Sequence, residues 1–246
     1  MKLSRWQIFL GLFLIFLSLV LYSAHYLIFG DAHHIWIYFL SDLAFLPIQI
    51  FFVTLLINQL MVEREKRIKI RKLNMVIDTF FSEVGTELLK SFSRFDEAAS
   101  RLQEKLRVES SWKKREFANT RVGLKSHSFL MKSAGGNLDE LKLFLISKRN
   151  FLLMLLENPN LLEHDAFTDL LRAVFHLTEE LGFRPRFSDL PRSDLDHLAM
   201  DMNRAYRLLL LEWLEHMNHL QEDYPYLFSL AVRTNPFNPE ASVIVL

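Results

Sequence analysis

The stretch from Leu43 to Lys72 limits what this chain can be more than any other. LAFLPIQIFFVTLLINQLM carries no charged side chain and, after Val62 and Glu63, gives way to the cationic REKRIKIRK. A helix of roughly 20 apolar residues rises about 30 Å and so crosses the hydrocarbon core of a bilayer. Cations beside such a segment stay on the cytoplasmic side, which assigns Arg64, Lys66, Arg67, Lys69, Arg71 and Lys72 to the inner flank and to contact with the lipid surface. The expectation is a protein fixed in a membrane here, with everything after Lys72 in the cytoplasm.

The residues before Leu43 then serve to bring the chain back across. Trp6 to Phe29 holds no Asp, Glu, Lys or Arg and follows the cationic start that includes Lys2 and Arg5. That reads as a first membrane helix over about residues 6–29, entering from the cytoplasm. A cleaved signal peptide competes, since Gly30 and Ala32 are small residues two apart, but the apolar run is longer than the 7 to 15 residues of such a segment. Counting about 20 residues inward from Trp6 reaches His25, and backwards from Met61 reaches Asp42. Tyr26 to Ser41 is therefore expected outside the hydrocarbon as an aromatic interfacial belt with the polar GDAHH at its tip, and the second helix over about 37–61, kinked at Pro47.

Composition limits the remainder. Of 246 residues, 29 are Lys or Arg and 29 Asp or Glu, so no whole-chain field argues for nucleic acid as a partner. The absence of Cys removes disulfides, thiolate metal sites and Cys nucleophiles, and seven Gly leave little from which to build a phosphate loop. No G-x-S-x-G, Walker, kinase or His-Glu-x-x-His motif occurs, so no catalytic residue, metal ligand or cofactor is expected. Two membrane helices leading into a long cytoplasmic helix resemble sensor kinases in outline, but the nucleotide-binding glycines are missing.

Beyond Met61 the periodicity predicts one unbroken helix. Ile77, Phe80, Val84, Leu88, Phe92, Phe95, Ala99, Leu102 and Leu106 follow at steps of three or four, a stripe widened by Val76, Phe81 and Leu89. So broad a face suits a helix laid on a globular core better than a coiled-coil seam. Further helices are expected around Lys114 to Val122, from an N-cap at Asn137 with Glu140 through Leu156, from Asp165 to Leu181, and from a cap at Ser193 with Asp196 to about Tyr224. YLFSLAV forms a short further helix, and TNPFNPEASVIVL an extended tail.

Several constellations invite a functional reading beside a plainer one. Asp42 either sits as an ionisable group inside a span, level with Tyr22 and His25 on the first helix, or caps the second helix together with Ser41. Gln49, one heptad on, and Thr54 are expected to hydrogen-bond between helices. The short outer connection leaves no room for a pore filter or a ligand-binding domain. Glu212 with His216, Glu215 with His219, Glu163-His164-Asp165, and His176 with Glu179 and Glu180 suggest metal, but a carboxylate-bridged bundle needs repeated Glu-x-x-His and only Asp194-x-x-His197 approaches it. Helix-supporting charge pairs explain them more simply. Trp112-Lys113-Lys114-Arg115 reads as a membrane-touching patch or an exposed helix start, and Asn235-Pro236-Phe237 with the apolar end as a strand offered to a partner or packed on its own domain.

FLPIQIFFVTLLINQL with its charged exit, ENPNLLEH and YPYLFSLAVRTNPF resemble an uncharacterised family of prokaryotic two-span membrane proteins with a cytoplasmic helical domain, over nearly the whole chain. The resemblance implies a prokaryotic cytoplasmic (inner) membrane and no assigned chemistry. The reading is an all-α protein: a transmembrane helical hairpin over 1–62, a cytoplasmic bundle of about five helices over 63–232 and an extended tail over 233–246, both termini cytoplasmic. Its expected partners are the lipid bilayer and a protein partner or a second copy. The leading function is a non-catalytic membrane-tethered scaffold or sensing module; a small channel or transporter subunit and a metal-dependent helical-bundle enzyme are the alternatives.

Overall fold

The structure, a computed structural model, describes residues 5–159, 161 and 164–244. Lys2 of the cationic start, Asn160, Leu162 and Glu163 of ENPNLLEH, and the closing Val245 and Leu246 lie outside the described residues. Within them the chain is helical without a strand: α1 (Arg5–Phe29), α2 (Ala32–Phe80), α3 (Thr86–Ser93), α4 (Ala99–Leu106), α5 (Lys114–Lys125), α6 (Leu138–Leu156), α7 (Asp165–Phe183), α8 (Arg192–Asp223) and α9 (Pro225–Arg233). Contacts divide it into two units, Met1–Lys66 and Arg67–Leu246.

In the first unit α1 and α2 are joined through Gly30 and Asp31 alone. Gly30 takes φ +64°, a left-handed value that a side chain would strain. Asp31 Oδ1 accepts from the backbone N–H of His33 at 2.8 Å and of His34 at 3.4 Å, which satisfies two of the orphan donors that open a helix. This corrects two expectations. The sixteen-residue interfacial connection is helix apart from two residues, so α2 starts at Ala32 rather than near 37, and Asp31, not Ser41 with Asp42, is its cap. Nothing between Ala32 and Phe45 breaks a helix once Asp31 has started it. Asp42 and Pro47 both lie inside α2.

The second unit owns the hydrophobic core, which begins at Leu73. The expected stripe is its first wall: Ile77, Phe80, Val84, Leu88, Phe92, Phe95, Leu102 and Leu106 are buried, with Phe81 and Leu89 beside them, while Ala99 and Val76 are partly buried. The single helix expected there is nevertheless broken twice. Phe81–Gly85 is a π-helical turn, in which the Thr86 N–H donates to the Phe81 carbonyl, five residues back, and the Thr86 hydroxyl bonds the same oxygen at 2.8 Å. A second break at residues 94–98 places Asp96, whose Oδ1 accepts from the Ala98 and Leu130 N–H groups at 3.0 and 3.3 Å. Lys132 N–H donates to the Phe95 carbonyl at 2.9 Å, and Asp96 and Met131 form an isolated antiparallel bridge.

Helix α8 is the axis of this unit, packed on α3, α5, α7 and α9. Of the inward face expected from spacing, Leu198, Met202, Tyr206, Leu209, Leu210, Trp213 and Met217 are buried and Leu195 is partly buried. Tyr206 is fully enclosed, with the rings of Phe92 and Phe129 edge-on at 5.7 and 5.5 Å. Asn137 caps α6, its side chain accepting from Asp139 and Glu140 N–H at 3.0 and 3.1 Å. The expected cap at Ser193 is not made: α8 opens at Arg192 behind Pro191, with no side-chain cap. Beyond α9, Asn235 Nδ2 donates to the Leu106 carbonyl at 2.9 Å, its Oδ1 accepts from Phe237 N–H at 2.9 Å, and the Phe237 ring meets Trp213 at 5.2 Å. Asn235-Pro236-Phe237 therefore packs on its own unit rather than being held out as a strand.

Candidate functional site

Two clefts and one charged cluster gather the chemistry-bearing residues. The first cleft, of about 620 Å³, lies between α1 and the start of α2 and is lined by Leu14, Leu17, Ser18, Leu21, Tyr22 and His25 with Ile35, Tyr38 and Asp42. Ser18, Tyr22 and His25 follow at steps of four and three and so share one face of α1. Asp42, Tyr22 and His25, grouped on sequence grounds, are thus brought to one cleft. Gln49 is not among its lining residues, and neither Gln49 nor Thr54 makes a side-chain hydrogen bond to α1 among the described residues. Polar Ser18 and Tyr38 were missed; the spacing of Ser18 from Tyr22 was the available signal.

The basic residues all lie on α2 and are exposed: Arg64 and Lys66 close the first unit, and Arg67, Lys69, Arg71 and Lys72 open the second. Within the second unit a cleft of about 410 Å³ is lined by Arg67, Ile70, Arg71 and Asn74 of α2, by His219 and Asp223 of α8, and by Tyr224. Asn74 Nδ2 stands 3.1 Å from His219 Nδ1, which is 2.9 Å from Asp223 Oδ2. Glu215, expected to support His219, instead pairs with Arg121 at 2.6 Å. His216 likewise turns from Glu212 to Asp78, at 3.1 Å, and stacks on Phe81 at 4.6 Å between ring centres. Trp112 is half-buried against Phe117, 5.1 Å away, and Lys114 pairs with Glu222 at 2.9 Å, so this basic stretch is the start of a packed helix.

The cluster joins α7 to α8. Arg184 spans the loop between them, giving Nε and Nη2 to Asp194 at 2.7 Å each and Nη1 to Glu180 at 2.6 Å. These bonds hold both carboxyls below the usual carboxylate range, the guanidinium being the main cause in each. His176 and His197 each stand 3.4 Å from Asp201 Oδ2, on a carboxylate only 5% exposed, and 3.9 and 3.8 Å from Glu180. Asp194, paired in sequence with His197, is taken by Arg184 instead. No group of three or more His, Asp or Glu side chains among the described residues is disposed to hold a metal ion. Farther along α8, burial pushes the Glu212 carboxyl up to about 7; Glu215 adds to the rise and Arg121 opposes it.

Residues 69–233 match the family model described as Uncharacterized protein MJ1433, C-terminal helical domain, and residues 2–61 match that described as MJ1433, N-terminal helical domain. Uncharacterized protein MJ1433 of Methanocaldococcus jannaschii is 42% identical over 241 residues, which cover 98% of this chain and 97% of the relative. No solved structure matches. Residues 62–68, between the two matched stretches, hold the first part of the basic run of α2.

Proposed function

This chain belongs to the family of Uncharacterized protein MJ1433, and from that premise we propose that it is a two-span protein of a prokaryotic cytoplasmic membrane, a non-catalytic tether that holds its C-terminal helical unit at the inner surface for a protein partner. One observation carries the reading. No described side chain before Leu73 is buried, although α1 and α2 as far as Met61 are almost wholly apolar, with Leu12, Phe16 and Phe52 exposed at 63, 65 and 64%. Exposed apolar surface costs about 25 cal/mol per Å² in water, so a continuous sleeve of it needs a non-aqueous surrounding. Both helices are long and apolar enough to cross a membrane. The cations from Arg64 to Lys72 follow the second at once, which favours an inner location for the C-terminal unit and leaves the Gly30-Asp31 turn outside.

Washing membranes with alkaline carbonate tests the tether: the chain is expected to stay in the pellet, and release into the supernatant contradicts the proposal. Crosslinking with mass spectrometry in native membranes then asks what the C-terminal unit holds. Crosslinks from that unit to one soluble protein or to a second copy fit the reading, and none beyond the chain itself would count against it.

The cleft of α1 and α2 favours a second reading, a small channel or transporter subunit, because Ser18, Tyr22, His25 and Asp42 place polar groups along an apolar helix pair. Conductance or transport in reconstituted bilayers that is lost in Asp42→Asn would promote it; inactive bilayers would leave the tether.

A further inference from the structure

We propose that the cleft lined by Arg67, Arg71, Asn74, His219 and Tyr224 binds the phosphate of an anionic membrane lipid headgroup, an inference that rests on the membrane reading above. Arg67 and Arg71 are one helical turn apart with Asn74 a further turn on, so all three share one face of α2. Elsewhere in this unit several arginines are neutralised: Arg94 by Glu140, Arg107 by Glu240, Arg121 by Glu215, Arg149 by Glu179 and Arg184 by Glu180 and Asp194. Among the described residues no carboxylate pairs with Arg67 or Arg71. Two adjacent guanidinium groups without a counter-charge make a fork that matches phosphate oxygens bidentately.

The facing wall adds His219, whose Nδ1 lies 3.1 Å from Asn74 Nδ2 and 2.9 Å from Asp223 Oδ2, contacts that fix the ring at the edge of the cleft. Asp223 is the one carboxylate among the lining residues, so the two arginines keep the cleft cationic. Tyr224, its ring 5.6 Å from that of His219, closes one side. At about 410 Å³ the cleft falls in the range of small-ligand sites, roughly 300–1,000 Å³, and has room for a headgroup beyond the phosphate itself.

Position in the sequence favours a lipid over a free ion: Arg67 follows Val62, the last residue of the uncharged run, by five residues and Arg71 by nine.

Native mass spectrometry of the full chain in detergent micelles, titrated with phosphatidylglycerol, phosphatidylcholine or inorganic phosphate, tests the site. Wild type is expected to retain phosphatidylglycerol over phosphatidylcholine. R67Q/R71Q should lose affinity for it about twenty-fivefold, the product of two cations contributing about fivefold each. R64Q/K66Q removes the same charge from outside the cleft and, lacking the paired guanidinium fork, should lose clearly less. R67K/R71K keeps both charges on an unchanged helix face and should fall between wild type and R67Q/R71Q, since it loses the fork. Equal losses in the two glutamine pairs, no preference between the lipids, or full retention by R67K/R71K would each overturn the site. Displacement of the lipid by equimolar inorganic phosphate would reassign it to a free anion and overturn the lipid. A chain released by alkali that still discriminates in micelles defeats the membrane reading alone, whereas an alkali-resistant chain with equal losses defeats the cleft alone.

Discussion

Arg184 fastens the end of α7 to the start of α8 through one guanidinium that is 85% shielded from solvent. Arg184→Ala leaves Glu180 and Asp194 facing each other's charge without it, and hydrogen bonds to charged groups contribute about 1.5–3 kcal/mol. Since both acids are about one-quarter exposed, a loss of about 2–3 kcal/mol in urea unfolding is expected. Glu212 acts in the opposite sense. Its folded carboxyl is raised to about 7 against 4.5 unfolded, so its contribution is fully present below pH 4.5 and is lost as pH rises through 7. A shift of that size corresponds to about 3 kcal/mol. Glu212→Gln should therefore match wild type in thermal melts at pH 4 and exceed it at pH 8; equal melting temperatures at pH 8 would show that the buried carboxylate costs nothing. Neither effect was legible in the sequence. Glu212 stands four residues from His216 and looked like its mate, but His216 is drawn to Asp78, an acid some 140 residues earlier whose nearness only the packing of α2 on α8 creates.

Among the elements, the π turn at Phe81–Gly85 shows why a pattern was readable and its breaks were not. The apolar stripe from Ile77 to Leu106 was visible because its steps of three and four exceed the helical repeat only slightly. One wide turn and one break interrupt it, and nothing in the local letters marks where. Gly85 is the clue in hindsight: a Cβ there would stand 2.5 Å from Phe81 Cδ1 and 2.9 Å from Cε1. Gly85→Ala must displace a ring that stacks on His216, and overpacking of this kind costs about 1–3 kcal/mol. A variant as stable as wild type would mean that the turn relaxes to ordinary α-helix. The cap of α2 teaches the same lesson: Asp31 and Asp42 are both plausible starts by residue type, and a length count chose Asp42. The structure chooses Asp31, because two residues with one left-handed glycine suffice to reverse the chain.

At the scale of the molecule, the all-helical character and the position of the second unit's core were legible from periodicity, whereas the role of the tail was not. Asn235-Pro236-Phe237 looks like a recognition motif by composition, yet Phe237 is 1% exposed against Trp213. Phe237→Ala should cost about 3–5 kcal/mol of stability, and a negligible loss in thermal melts would release the tail for binding. The central claim remains the proposed orientation, two passes with the second unit inside, and the absence of Cys makes it directly measurable. Single cysteines at His33, beside the Gly30-Asp31 turn, and at the 69% exposed Val122 of α5 can be labelled with a membrane-impermeant maleimide in intact cells. The account predicts that H33C is labelled at once and V122C only after permeabilisation. Labelling of V122C in intact cells would contradict it.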